Sequence, residues 1–105
     1  MLVNHYLITI DLEGANGITS FYNKLNDLML SEGFSNKIVA KSGDSYILPQ
    51  GKFYIESDKN TVDISLLAKR VASKLLVKNA VVVSLTNDLI FYGLEKSRQI
   101  LRSDM

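Results

Sequence analysis

The sequence predicts an α+β domain with the element order βαββαβ, and three observations lead to this prediction. A two-residue hydrophobic period opens the chain, two later stretches have the 3.6-residue period of amphipathic helices, and short extended runs lie between and after them. Each helical stretch has a single apolar stripe, so both helices can cover the same face of a sheet. This order is that of the ferredoxin-like sandwich, in which an antiparallel four-stranded sheet carries two helices on one face.

Length and composition indicate one domain. With 105 residues, of which 47% are hydrophobic, the chain can bury a real core. We expect a single domain over residues 1–105, with its core at about 4–86 and a C-terminal strand or tail at 87–105. Cysteine is absent, which excludes disulfides and thiolate ligands. Because no apolar run approaches the roughly 20 residues of a membrane span and no basic leader opens the chain, we expect a cytoplasmic protein without membrane contact.

The first half of the pattern is a strand followed by a helix. Residues 6–11 alternate between two faces, which predicts the first strand. The turn residues within 14–17 end this strand. Apolar side chains then recur at helical spacing over residues 18–29 and predict the first helix. Gly33 closes the helix, because glycine readily takes the left-handed conformation of a C-cap.

The second half begins with two short strands. Residues 34–40 predict the second strand, 41–51 a long polar loop, and 52–56 the third strand. The polar residues 57–61 favour entry into the second helix. Its apolar stripe extends over residues 64–75 at helical spacing.

The last part of the chain is more ambiguous. Residues 80–85 contain three consecutive valines, which predicts a central strand or one that a dimer covers. Beyond it, residues 89–93 (LIFYG) form a fifth C-terminal strand before a charged tail, the alternative that we prefer, or residues 86–88 cap a helix that continues through 95–102. A fifth strand would expose apolar surface. We therefore expect a homodimer, formed through the open sheet face or this edge.

The basic residues are unevenly distributed. The net charge is only +1, but residues 1–50 carry three basic and five acidic side chains, whereas 51–105 carry nine and six. Much of the surplus lies on the second helix, where Arg70 and Lys74 are near neighbours on one side. This asymmetry favours a local phosphate-binding face, and an ordinary solvated helix surface is the alternative.

Four segments of the chain carry a resemblance to a known family. They are the first strand YLITID, the helix FYNKLNDLM, the FS of EGFSN, and LPQGKF at the start of the third strand. On these the chain resembles most closely the GhoS endoribonuclease antitoxins of type V toxin–antitoxin systems. It is also similar to small CRISPR-associated spacer-acquisition proteins and to VapD-type ribonucleases. The resemblance implies a ferredoxin-like fold and cleavage of single-stranded RNA, namely the mRNA of a toxin.

The resemblance also implies a role for Asp11. In these relatives an aspartate at the end of the first strand lies near the dimer axis, and in metal-dependent members the two copies hold a divalent ion. Two such carboxylates could bind Mg²⁺ and a water that attacks a phosphodiester. Alternatively, Asp11 accepts backbone N–H bonds from the loop that follows the strand. The expected cofactor is therefore none, or Mg²⁺.

Candidate RNA-binding residues lie on both helices. GhoS-like chains carry arginines on the first helix that are proposed to act on RNA, and here those positions are Lys24 and Asn26. Lysine can still contact a phosphate, whereas asparagine supplies no charge. Arg70 and Lys74 complete the predicted RNA-binding set. His5 is either a general acid or base near neutral pH or an ordinary surface residue near the terminus.

Two classes of function stay open at this point. The first is a small endoribonuclease-like antitoxin that acts on single-stranded RNA, with a toxin-system partner. The second is a non-catalytic dimeric module that binds a protein or RNA. Asp11 and the whole-chain pattern favour the first, and Asn26 with the scarcity of catalytic side chains favours the second.

Overall fold

Two helices and five strands form over residues 3–14 and 19–97, the parts of the chain that the computed structural model describes. In chain order they are β1 (Asn4–Leu12), α1 (Thr19–Ser31), β2 (Lys37–Val39), β3 (Ser45–Ile47), β4 (Lys52–Ser57), α2 (Thr61–Ser73) and β5 (Asn79–Leu85). The predicted α+β class is confirmed.

β1 is the central strand of an antiparallel three-stranded sheet with the order β4-β1-β5. On one side of β1, His5 lies opposite Glu56, and on the other side Asp11 lies opposite Ala80. β2 and β3 pair with each other in a separate two-stranded hairpin. The centre of the fold is thus the strand that the sequence predicts most clearly.

The core lies between one face of this sheet and both helices. The inward side chains of β1 alternate along the strand as predicted, and each is buried: Tyr6, Ile8, Ile10 and Leu12. The buried side chains of the two helices belong to the same cluster: Tyr22, Leu25 and Met29 of α1, and Ile64, Ala68, Val71 and Ala72 of α2. The prediction that both helices cover one face is therefore confirmed.

The helix ends follow from local chemistry. Gly33 has φ +94°, the N–H of Phe34 donates to the carbonyl of Met29, and the N–H of Gly33 donates to that of Leu30. These two bonds form a Schellman motif, so the predicted C-cap is confirmed. At the start of α2, Asn60 accepts a hydrogen bond from the backbone N–H of Asp63, as an N-cap residue does.

The prediction of a four-stranded sheet is wrong, because the second strand leaves the sheet after one residue. Ser35 exchanges two backbone hydrogen bonds with Tyr54 of β4. Its hydroxyl then accepts from the N–H of Lys37 and donates to the carbonyl of the same residue. These local bonds compete with the ladder and turn the chain away. The segment pairs instead with β3, which lies inside the stretch predicted as a loop.

Two predictions about the C-terminal third also need correction. β5 forms where predicted, but it is an edge strand of the three-stranded sheet and not a central one. Its Val82 is 62% exposed. Residues 89–93 do not form a fifth strand, and the helix alternative is not seen over 86–97. The predicted charged tail lies largely outside the described residues.

Neither helix of the described chain is long and apolar enough to cross a membrane.

Candidate functional site

The face of the sheet opposite the helices carries polar side chains from two adjacent strands. We call it the outer face. The alternation of β1 places His5, Leu7, Thr9 and Asp11 on it, because the even-numbered residues between them point into the core. The register of β4 adds Tyr54 and Glu56 to the same face, since Glu56 lies opposite His5. Side chains that are about fifty residues apart in the sequence thus become neighbours.

His5, Tyr54 and Glu56 form a hydrogen-bonded cluster at one end of this face. The His5 Nδ1 atom lies 2.5 Å from the Tyr54 hydroxyl, and that hydroxyl donates to Glu56 Oε1 at 3.3 Å. His5 Nδ1 is also 3.6 Å from Glu56 Oε1. Because the phenol O–H donates to the carboxylate, the imidazole must donate its own Nδ1–H to the phenol oxygen. All three groups are then paired, and Nε2 is left as a proton acceptor.

The same surroundings raise the pKa of the Tyr54 phenol. Burial contributes most, followed by the nearby charge of Glu56 and the hydrogen bond to its carboxylate. Each effect disfavours the phenolate. Tyr54 therefore keeps its proton at neutral pH and can hold the imidazole in one orientation.

The cluster opens onto a cavity of about 350 Å³. His5 and Tyr54 form part of its wall, residues 38–41 of the hairpin form another part, and residues 86–91 close it from the side of β5. The wall includes the ring of Phe91 and the residue Lys41. An imidazole, an aromatic residue and a lysine thus converge on one cavity, which makes it the candidate site of this domain.

Residues 86–97, which we call the C-terminal strap, contact the hairpin, and the first part of the strap forms one wall of this cavity. The backbone N–H of Ile47 donates to the carbonyl of Glu95, and the N–H of Ser97 donates to that of Ser45. The ring centroids of Tyr46 and Phe91 are 5.2 Å apart. The strap is therefore fixed to the hairpin and covers apolar surface within its own chain.

A larger cavity of about 770 Å³ lies between the hairpin and the end of the strap. Its charged groups include Lys96 and Asp44, which pair with each other at 3.3 Å. Its lining, as far as the structure describes it, contains no histidine or aromatic side chain. It therefore offers less chemistry than the cavity beside His5.

Asp11 lies on the outer face but at the other end of β1. It is exposed, and it lies six positions after His5, which corresponds to about 20 Å along an extended strand. Thr9, on the same face, accepts a hydrogen bond from Lys52 Nζ at 3.2 Å. His5 and Asp11 therefore cannot act on the same atom of a substrate.

The predicted RNA-binding residues lie in the helix layer, behind the sheet. Lys24, Arg70 and Lys74 are exposed, and Asn26 is half-buried. The C-terminal end of α2 leads into β5 at the end of the sheet where β1 finishes. The structure thus brings Arg70 and Lys74 to the same end of the domain as Asp11, but on the opposite face.

The carboxylates offer little for a metal ion within one chain. Across residues 3–14 and 19–97, no group of three or more histidine, aspartate or glutamate side chains is placed to hold one. Asp11 could supply one ligand, so the Mg²⁺ predicted there would need a second carboxylate from another copy, or phosphate oxygens of a substrate.

Sequence reasoning identified His5 but missed its two partners. The alternation of β4 places Tyr54 and Glu56 on one face, which is a usable signal. Which strand lies beside them depends on register, and register cannot be deduced from this sequence.

Comparisons with known proteins assign no family to this chain. A scan against protein-family models finds no match, and a search of curated proteins finds no significant match.

Proposed function

We propose that this protein binds single-stranded RNA on the outer face and cleaves it by general acid–base catalysis at His5. The observation that carries the proposal is the hydrogen-bonded cluster of His5, Tyr54 and Glu56 beside a cavity. A histidine whose Nδ1 is held by a phenol and a carboxylate has its Nε2 oriented to take a proton.

The chemistry of RNA suits a single oriented base. Nε2 of His5 takes the proton of a ribose 2′-hydroxyl, and the 2′-oxygen attacks the adjacent phosphorus. The bond from phosphorus to the 5′-oxygen then breaks, and water at the open mouth of the cavity protonates the leaving oxygen. The hydroxide that remains takes the proton from Nε2 and returns His5 to its neutral form. The products are a 2′,3′-cyclic phosphate and a 5′-hydroxyl end. This step needs no nucleophile from the protein.

Other groups near the cavity support an RNA substrate. Tyr92 on the strap is 89% exposed and Phe91 lines the cavity, and aromatic rings at a surface can stack on unpaired bases. Lys41 in the wall and Lys52 farther along the face supply positive charge for phosphates. An RNA strand that follows β1 would extend from His5 towards Asp11.

The biological setting that we propose comes from the resemblance to GhoS antitoxins. In that setting the substrate is the mRNA of a toxin, the partner is a toxin system, and the protein acts in the cytoplasm. The fold is compatible with this proposal. Adding the bridge at Ser35 beside β4 gives an antiparallel strand order like that of a ferredoxin-like sandwich, with both helices on one face.

The non-catalytic module remains the second candidate, and exposed apolar side chains favour it. Val62 and Leu66 are one turn apart on the solvent side of α2, and each is 64% exposed. Leu76 after the helix is exposed as well. Such side chains are typical of a surface that binds another protein.

Cleavage of labelled single-stranded RNAs separates the two candidates. Wild type should cleave in the presence of a chelator, and His5→Gln should lower the rate by about 10²–10⁴-fold while RNA affinity is retained. Ser84→Ala is the matched control and should cleave like wild type, because Ser84 is exposed on β5, at the opposite edge of the outer face. RNA with a 2′-O-methyl group at the cleaved position should resist cleavage. If His5→Gln cleaves as fast as wild type, the acid–base proposal is wrong, and if wild type neither cleaves nor binds RNA, the module replaces it.

A further inference from the structure

β5 presents an unprotected edge. It is the last strand in the order β4-β1-β5, and no described strand lies beyond it. Its sequence, NAVVVSL, contains no charged residue and no proline. Natural proteins usually protect an exposed edge with lysine, proline or a bulge, because its free N–H and C=O groups can pair with another chain. The composition of β5 therefore indicates an edge that pairs with another strand.

The hydrogen-bonding pattern shows which residues face this open edge. The N–H of Thr86 donates to the carbonyl of His5, and at the other end the N–H of Glu13 donates to that of Lys78. In an antiparallel ladder the bonded residues alternate, so the even-numbered residues of β5 bond to β1. The odd-numbered residues direct their backbone groups outwards: Asn79, Val81, Val83 and Leu85.

One end of the edge is partly occupied already. Lys69 Nζ donates to the carbonyl and to the side chain of Asn79, at 3.0 and 2.6 Å. Val81 and Val83 are therefore the centre of the free edge. Their side chains pack against the core, so their backbones are held firmly in place.

We propose that a second copy of this chain pairs with β5 in antiparallel orientation, with a twofold axis at Val82. In that register Val81 lies opposite the partner's Val83, so residues with outward backbone groups meet each other, as pairing requires. The six strands then form one continuous sheet.

The side chains also fit a second copy better than an unrelated strand. About this axis Val82 faces the partner's Val82, and Ala80 faces the partner's Ser84, so small and apolar groups meet without charge. The two Lys69 side chains lie at opposite ends of the interface, because the pairing is antiparallel. Val82, which is largely exposed in the single chain, then packs against its partner copy.

This dimer has a consequence for Asp11. Three strand spacings separate the two copies of β1, which places the two Asp11 side chains at least about 14 Å apart. They could not share one Mg²⁺. None of the paired residues 79–85 lines the His5 cavity, so the dimer and the RNA site are independent proposals.

Cysteine cross-linking tests the position of the axis. The chain has no cysteine, so a single introduced thiol is unambiguous. Two residues facing each other in a non-hydrogen-bonded antiparallel pair have Cα atoms about 4.5 Å apart, which a disulfide can bridge. V82C should therefore form a disulfide-linked dimer on mild oxidation. L66C is the matched control, because Leu66 is 64% exposed and Val82 62%, but Leu66 lies on α2.

Solution mass gives a second, independent measurement. Light scattering at tens of micromolar should show a dimer for wild type and a monomer for V82K, in which two ammonium groups would meet at the axis. Circular dichroism should show V82K as folded as wild type, since residue 82 is exposed in the single chain. V81P should also be a monomer, because proline removes an outward N–H at the pairing edge and leaves the bonds to β1 intact. A monomeric wild type, a dimeric V82K, or L66C that cross-links as fully as V82C would overturn the proposal.

Discussion

The imidazole Nδ1 of His5 contacts the hydroxyl of Tyr54 although the two residues are not opposite each other in the ladder. His5 pairs with Glu56, and Tyr54 pairs with Leu7, so the contact runs diagonally across β1 and β4. Diagonal neighbours are within reach of an aromatic side chain. The imidazole, the phenol and the carboxylate therefore come into contact from two strands, and the acid–base proposal depends on this contact.

The pKa of Tyr54 provides a direct measurement of the cluster. We expect Glu56→Gln to lower the pKa of the phenol towards its ordinary value of about 10, because the change removes the negative charge beside it. Subtracting the ultraviolet titration of Tyr54→Phe from that of the parent protein isolates this tyrosine. An unchanged pKa in Glu56→Gln would mean that the carboxylate does not contact the phenol in solution.

The same group makes stability depend on pH. The folded-state pKa of Tyr54 is raised, so the folded protein holds this proton more tightly than the unfolded chain does. Its contribution is fully present below the unfolded pKa and is lost as the pH rises through the folded pKa. We expect the melting temperature of wild type to fall more steeply above pH 10 than that of Tyr54→Phe. Parallel curves for the two proteins would contradict this.

Among the glycines that the structure describes, Gly51 is the one whose replacement should cost most stability. It is buried with φ +81°, and its carbonyl accepts a hydrogen bond from the N–H of Ile10 at 2.7 Å. A Cβ there would overlap the carbonyl oxygen of Ile10. Gly51→Ala combines left-handed backbone strain of about 1–2 kcal/mol with a steric clash of about 1–3 kcal/mol.

Gly43→Ala is the control for Gly51→Ala. Gly43 has a similar φ of +92°, but nothing lies within 4 Å of its added Cβ. Urea unfolding of both variants should show a lower free energy of unfolding for each, with a clearly larger decrease for Gly51→Ala. Equal decreases would mean that the approach of Gly51 to β1 is looser than the structure indicates.

The parts of the fold that the sequence predicts are those whose side chains have one strong period. Residues 6–11 alternate without exception, and β1 forms where expected, with the expected faces. Ser35 is the opposite case. Whether its hydroxyl bonds to its own backbone depends on the local path of the chain, and the hydrophobic pattern carries no sign of it. The three valines of β5 predict burial on both faces, yet only Val81 and Val83 pack against the core, and Val82 lies on the outer face, where it is exposed.

The candidate site was predictable only in part, for a related reason. The chemistry of His5 can be recognised from the residue alone. Its orientation by Tyr54 and Glu56 depends on the pairing of two strands that α1 and the hairpin separate in sequence. A long-range pairing of this kind leaves no local signal.

Removing two cations from α2 tests the predicted basic face. RNA bound only on the outer face would not reach Arg70 and Lys74, which lie on the helix side of the domain. If the RNA also contacts α2, as the sequence predicts, Arg70→Ala with Lys74→Ala should weaken RNA affinity and reduce the slope of log K against log salt by about 0.7 for each phosphate that the protein no longer neutralises. The matched control, Lys37→Ala with Lys59→Ala, removes the same charge from other exposed positions. Binding should be measured at several salt concentrations. If both double variants behave alike, the effect is one of net charge, and the RNA does not contact α2.

Whether Asp11→Asn weakens or strengthens the interaction with RNA shows what the Asp11 carboxylate does. Asp11 is exposed, so Asp11→Asn should leave the melting temperature nearly unchanged. If Asp11 lies at a functional centre, as the resemblance implies, the variant should lose RNA cleavage or binding, and a loss confined to reactions with Mg²⁺ would identify the carboxylate as a metal ligand. An uninvolved carboxylate near a bound RNA would instead repel its phosphates, so that Asp11→Asn binds more tightly. Cleavage by Asp11→Asn and by His5→Gln should therefore be measured in parallel, with Mg²⁺ and with chelator. His5→Gln should lose cleavage in both conditions. An Asp11→Asn variant that binds RNA more tightly and cleaves it at the full rate would show that Asp11 is not part of the site.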